Sequence, residues 1–335
     1  MSFALIIIII LVISIACLIV FLVKNIFIPK RAATTENLLN KSMVLKAIRA
    51  GKEAVEKDPQ SAEAHYNLGK AFLADKRDEQ AFREFKSVSR LGIGGNNIPE
   101  TEFRETIASL YTRYNETEEA LKEYIMLIKL HPENPEYYFM AGKLFSSRNR
   151  GDLAEQYFRK AISINSKEKR YHIELGMNYY MAKRIKEANV VFDTVIKLDP
   201  QDGLAQLYMG KILKGAKDFA GSIPFLEKAS RDQEYKLQAL VELGSSYMSL
   251  RMMDKAIGEL ERAVNIIDKE ADPDSLYARY FLAMCFEKTK EYTKAIAQWD
   301  KIYAVKKNFM DVGEKLTQYI EYRTGDEDPR SPKRP

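Results

Sequence analysis

The chain has 335 residues, 46% of them hydrophobic and 30% charged, with a formal net charge of +5. That balance excludes a wholly disordered chain and a strongly basic nucleic-acid binder. Two cysteines exclude a disulfide-built fold.

The first predicted element is a membrane span. Residues 3–23 carry no charged side chain and are mostly Ile, Leu and Val. As a helix they would cover about 31 Å, the depth of a bilayer core. A cleaved signal peptide fits poorly, because Met1-Ser2-Phe3 has no basic residue and the apolar run is too long. A lipoprotein site at Ser14-Ile15-Ala16-Cys17 fits poorly too, because Leu18 to Leu22 stay apolar where a mature lipoprotein turns polar. Lys24, Lys30, Arg31, Lys41 and Lys46 follow the run, against Glu36 alone. The positive-inside tendency then predicts a single-pass protein with its carboxy-terminal side cytoplasmic, the periplasmic side being the alternative. The expected order is an anchor over 1–28, a linker over 29–40 and a half-repeat over 41–60. In that half-repeat, Ala47, Gly51, Ala54 and Pro59 stand at second-helix offsets.

From residue 61 to 308 one pattern returns seven times. Small residues stand at Gly69, Ala108, Gly142, Gly176, Gly210, Gly244 and Ala283. Three residues after each comes a large one: Phe72, Tyr111, Phe145, Tyr179, Leu213, Tyr247 and Phe286. Twelve after each comes Ala81, Ala120, Ala154, Ala188, Ser222, Ala256 and Ala295. Four further on stands an apolar residue: Phe85, Tyr124, Phe158, Phe192, Leu226, Leu260 and Trp299. Spacings of three, four and seven put each set on one helical face, so every unit reads as two helices. Asp58-Pro59, His131-Pro132 and Asp199-Pro200 mark where units stop. The steps are 34 residues from Ala108 to Gly244 and 39 at both ends. The two longer steps predict surface loops at 91–99 and 268–275. Pro224 predicts a shifted start for the second helix of the fifth unit. A closing helix is expected within 309–323 and a disordered tail at 324–335.

This pattern resembles the tetratricopeptide repeat (TPR) family. The resemblance implies an all-α fold: a TPR α-solenoid, a right-handed superhelix of helix-turn-helix hairpins, preceded here by a single transmembrane helix. It also implies a concave groove lined by the first helix of each unit. Counting from the small residue, the groove positions are expected near −6, −3, +1, +4 and +5. The candidate protein-binding residues are Tyr66, Phe139, Ile173, Met177, Tyr180, Met181, Leu207, Lys211, Val241, Met248, Tyr277, Tyr280 and Met284. Their Met, Tyr and Ile content suits an amphipathic helix or an extended apolar peptide. The Lys/Asn clamp of chaperone-binding members is not reproduced, since its positions hold Tyr66/Lys70, Glu105/Ser109 and Phe139/Lys143.

Catalytic, cofactor and metal motifs are missing from the sequence. His65, His131 and His172 are isolated, no Cys-x-x-Cys occurs, and the Gly-rich stretch at 91–97 lacks a Gly-Lys-Ser/Thr ending. The expectation is a non-enzymatic, membrane-anchored scaffold that binds protein partners and assembles or regulates a membrane-associated complex. In layout it is similar to the bacterial lipopolysaccharide-assembly regulators, but their Cys-x-x-Cys metal knot has no counterpart here, so only the layout carries over. The alternative is an extracytoplasmic assembly factor of a secretion, pilus or flagellar-collar complex. Nucleic acid is not an expected partner, and self-association through the solenoid ends stays open.

Overall fold

A computed structural model describes residues 28–93 and 97–319. The expected span at 3–23 and the tail at 324–335 lie outside the described residues. Among the described residues all elements are helical, sixteen in number, and none is long and apolar enough to cross a membrane. The chain forms two compact units, Met1–Pro132 and Glu133–Pro335.

In the first unit α1 (Ile28–Lys57) precedes two hairpins, α2 (Ala62–Ala74) with α3 (Asp78–Leu91) and α4 (Glu100–Arg113) with α5 (Thr117–Leu130). The second unit begins with α6 (Pro135–Ser147) and α7 (Gly151–Ile164), then α8 (Lys169–Met181) and α9 (Ile185–Leu198). Next come α10 (Gly203–Gly215) with α11 (Phe219–Ala229) and α12 (Lys236–Ser249) with α13 (Met253–Val264). It closes with α14 (Pro273–Lys288), α15 (Tyr292–Val305) and the short α16 (Val312–Gln318). Even-numbered helices from α2 to α14 are the first of each hairpin.

The hairpin core is the seam read from the sequence. The seven small residues at +12 are all fully buried, and so are Phe85, Phe158, Phe192, Leu226, Leu260 and Trp299 at +16. A fully buried Phe or Leu contributes about 1.5–3 kcal/mol. The glycines are needed for close approach. A Cβ at Gly176 would stand 2.9 Å from the Phe192 ring, and one at Gly244 would stand 2.5 Å from Leu260 Cγ.

Each hairpin turns by the same device. Lys76, Asn115, Asn149, Lys183, Lys217, Arg251 and Lys290, all at +7, have positive φ between 58° and 67°. The two hydrogen bonds of a Schellman end accompany each of them. At α8 the Arg184 N–H donates to the Tyr179 carbonyl (2.9 Å) and the Lys183 N–H to the Tyr180 carbonyl (3.1 Å). The second helix therefore begins at a constant offset in every unit.

In three units the side chain at −4 ties down the link that precedes it. His172 Nε2–H donates to the Ser166 carbonyl (2.9 Å) and Gln206 Nε2–H to the Pro200 carbonyl (2.9 Å). His65 bridges the Pro59 carbonyl (3.2 Å) and Glu84 (2.6 Å). In the two units that follow a longer link an arginine stands there instead. Arg104 grips Glu100 (2.8 Å) and Glu123 (2.6 Å). Arg279, only 5% exposed, donates to both Glu270 oxygens (2.6 and 2.8 Å) and to Gln298 (2.9 Å). Of the two, only Arg279 reaches its link, through Glu270, with the longer stem and extra donors of a guanidinium; the partners of Arg104 stand on α4 and α5.

Four expectations are corrected. The stretch 29–40 is not a linker, because α1 runs through it as one helix to Lys57. The link before the seventh unit ends sooner than 275, since Asp272 caps α14 and Pro273 opens it. Pro224 causes no shifted start: α11 begins at Phe219, capped by Asp218, and the proline lies inside the helix. Pro224 and Ala220, whose carbonyl loses its donor, are both exposed, so water is at hand. The closing helix is only α16, Val312–Gln318. It docks through Tyr319, whose ring stacks near Tyr292 (5.3 Å) and Trp299 (5.7 Å).

Candidate binding groove

The thirteen candidate residues divide by burial. Tyr66, Phe139, Leu207, Val241 and Tyr280, all at −3, are buried at 7% exposure or less. This corrects their assignment to an accessible face. The reason is geometric: −3 of one first helix seats against −5 of the next. Phe139 meets Tyr171 at 4.9 Å, Tyr66 meets Phe103 at 6.4 Å, and Val241 shares a small cluster with Ala278. Tyr280 packs on Phe309 (6.0 Å) and donates its hydroxyl to Asp311 (2.8 Å). Burial and that acceptor push the Tyr280 phenol up to about 12. No partner reaches these five while the helices stay stacked.

The remaining eight are accessible. Met181 is 68% exposed and Tyr277 37%, while Ile173, Met177, Tyr180, Lys211, Met248 and Met284 are half-buried. All eight lie on first helices of the second unit. The accessible face also includes position −2, which the sequence reading missed: Glu174, Tyr208, Glu242 and Phe281. The overlooked signal was complementarity between +1 of one unit and −2 of the next. Lys143 on α6 faces Glu174 on α8 (3.5 Å). Lys211 on α10 faces Glu242 on α12 (3.8 Å), and Lys214 bonds the same carboxylate. Between these charged rungs lies an apolar one, where Tyr180 meets Tyr208 edge-on at 4.9 Å. Tyr208 is held flat on Phe192 (5.0 Å, 10°). Towards α14, Tyr277 stacks near Phe281 at 5.9 Å and its edge meets Phe309 at 5.2 Å.

Residues 44–93, 106–169 and 241–310 match the tetratricopeptide repeat family profile, more than half of the chain. The chain belongs to the tetratricopeptide repeat family. Anaphase-promoting complex subunit 3 of Schizosaccharomyces pombe is similar, with 26% identity over 178 residues, 53% of this chain and 27% of that protein. Aspartyl/asparaginyl beta-hydroxylase of Homo sapiens is 26% identical over 193 residues, 58% of this chain and 22% of that protein. The chain thus spans about a quarter of the length of the curated relatives it matches. The crystal structure of the APC/C hetero-tetramer Cut9–Hcn1 is similar in fold, with a TM-score of 0.55 at 16% identity, covering 83% of this chain and 53% of that one.

For a TPR groove the electrostatics are nearly balanced. Burial pushes the Tyr180 and Tyr208 phenols up, so both are neutral donors at pH 7. The Glu242 carboxylate is 18% exposed, and the Lys211 and Lys214 side chains 21% and 25%, so this rung is shielded from bulk water. The first TPR unit has its own link of this kind, Lys70 to Glu102 (2.7 Å), but both side chains are about half exposed. Among the described residues no group of His, Cys, Asp or Glu could hold a metal ion. Cys285 is buried, which pushes its thiol up to about 11 and leaves it unreactive. The groove can therefore bind through apolar contact and hydrogen bonds.

Proposed function

We propose that this protein is a membrane-anchored TPR scaffold whose second unit captures a protein segment on its first-helix face. It holds that partner at a membrane-associated complex. TPR repeats are in general a non-enzymatic scaffold for protein interactions, and similarity over 22% of a hydroxylase carries no activity across. The observation that supports the reading is the accessible Met177–Tyr180–Tyr208 rung beside the Lys211–Glu242 rung. Unbranched methionines and amphipathic tyrosines adapt to an apolar helix or strand, and flanking ion pairs set its register.

The anchor in this reading is the uncharged run at 3–23, and the excess of lysine and arginine after it favours a cytoplasmic solenoid. Two experiments test these parts separately. A photo-crosslinking amino acid at Met181 should join the full-length protein, in its own membranes, to one discrete partner. The same group at buried Leu207 should not, and Met177→Glu with Tyr180→Glu should abolish the adduct without lowering the melting temperature. An adduct that survives the double change would sink the groove. For the anchor, carbonate extraction at high pH should leave the protein in the pellet. Alkaline phosphatase fused to the carboxy terminus should be inactive, and activity there would reverse the orientation.

A further inference from the structure

The repeat stands half complete at both ends of the described chain. At the front, α1 has the register of a second helix: one 34-residue step before Ala81 and Val88 come Ala47 at +12 and Ala54 at +19. It packs on α2 accordingly, since a Cβ at Gly51, position +16, would meet Leu68 at 3.1 Å. In all seven hairpins +12 and +19 are fully buried, from Ala81 and Val88 to Ala295 and Ile302. On α1 Ala47, Ala50 and Ala54 are exposed, because the stretch that would fold back as a first helix is part of α1 itself. At the back, α16 has the register of a first helix. Thr317 stands 34 residues after Ala283, and Val312 at −5 and Leu316 at −1 are buried as Ala278 and Leu282 are. Lys315 Nζ–H (2.8 Å) and the Tyr319 hydroxyl (2.7 Å) donate to Glu287 and fix the helix. Thr317 is exposed, whereas the small residue is buried in every hairpin. The sequence after Tyr319 lacks a second-helix pattern, with Pro329 at +12 and Lys333 at +16.

The sizes of the two open faces match. Within a hairpin the small residue faces a large one at +16, and a Cβ at Gly176 would stand 2.9 Å from the Phe192 ring. The ends invert this order, with branched Thr317 on the first helix and Gly51, the one glycine at +16, on the second. Beside them, positions −4 and +15 are Gly313 and Ala50, where His65 and Glu84 meet at 2.6 Å in the first hairpin. We propose that the protein associates head to tail: α16 of one copy lies on the Ala47–Ala54 face of α1 of the next, and the two complete one hairpin. The buried seam at +12 and +19 then continues from copy to copy. The contact is heterologous, so further copies add at either free end. Its small side chains bury little apolar area, so the association is weak and follows local concentration.

The test uses the full chain with Cys17→Ser, in detergent micelles, and a short bismaleimide as crosslinker. Buried Cys285 is kept. One preparation carries Ala50→Cys and another Thr317→Cys, both at exposed sites. Mixed, the two should give a covalent dimer. Neither should do so alone, and a chain with both changes should give a ladder of multiples. Val190→Cys, 64% exposed on α9, should not substitute for Thr317→Cys. Ala54→Arg in the Ala50→Cys chain should lower the dimer yield about tenfold. It should leave the melting curve unchanged, since Ala54 is exposed in the single chain. A dimer from Ala50→Cys alone would mean that two front ends pair, and would overturn the proposal. So would a dimer that survives Ala54→Arg or forms with Val190→Cys, a doubly changed chain that only closes on itself, or no dimer at all.

Discussion

A methyl group added at Gly244 would stand 2.5 Å from Cγ of Leu260, whereas at Gly258 it would meet nothing within 4 Å. Both glycines are helical, so the intrinsic gain from alanine, about 0.5–1 kcal/mol, is common to the two. Gly258→Ala should therefore stabilise by about that amount. Gly244→Ala should destabilise by about 1–2 kcal/mol net, because overpacking outweighs propensity. Urea midpoints of the two variants check the pair, and equal shifts would remove the close-approach argument. The Arg279–Glu270 link gives a pH signature. Its hydrogen bonds from Arg279 hold the Glu270 carboxyl below the ordinary glutamate range. A depressed folded pKa contributes stability above the unfolded value, about 4.3, and that contribution is lost as pH falls through the folded pKa. Wild type should exceed Glu270→Gln in stability at pH 7, and the gap should shrink between about pH 5 and pH 3. At this scale the seam at +12 and +16 was legible because one face repeats. Arg279 at −4 was not, because its reason is the path of the link that carries Glu270, which spacing alone does not reveal.

The hairpin turns set the geometry of each element pair. Seven non-glycine residues occupy the left-handed region at +7, five of them Lys or Arg. That conformation costs an L-residue about 1–2 kcal/mol, which the two Schellman hydrogen bonds offset. Lys217→Gly should then raise the urea midpoint, by about 0.5–1 kcal/mol in stability, with groove binding unchanged. A loss would mean that the lysine side chain holds the turn. The turn position carried no glycine signal, so periodicity placed the hairpins without showing how they close. The same blind spot explains position −3. Helical spacing puts −3 beside +1, but only the neighbouring hairpin decides which of the two it covers.

On the scale of the second unit, stability passes from neighbour to neighbour. The one tryptophan of the chain, Trp299, is fully buried where α16 closes the stack, with Tyr319 against it and the Tyr319 hydroxyl on Glu287 (2.7 Å). Its fluorescence thus reports the last hairpin alone. Tyr319→Ala should destabilise by about 3 kcal/mol, red-shift the emission and move the fluorescence transition to lower urea than far-UV circular dichroism. Coincident transitions would mean that the unit melts as one body. The count of repeats and the presence of a closing helix were readable from the sequence. The short length of that helix was not, because docking through Tyr319 depends on a ring contact that periodicity does not encode.

The constant turn offset makes the repeats exchangeable. Deleting residues 176–209 would join the front of α8 to the back of α10, and Gly210 would take the place of Gly176 opposite Leu226. Tyr171 would still reach back to Phe139. Such a shortened chain should keep its helical content per residue and melt cooperatively, having lost one rung and no joint. Lineages carrying this gene could then lengthen or trim their binding surface by whole hairpins without inventing a new fold.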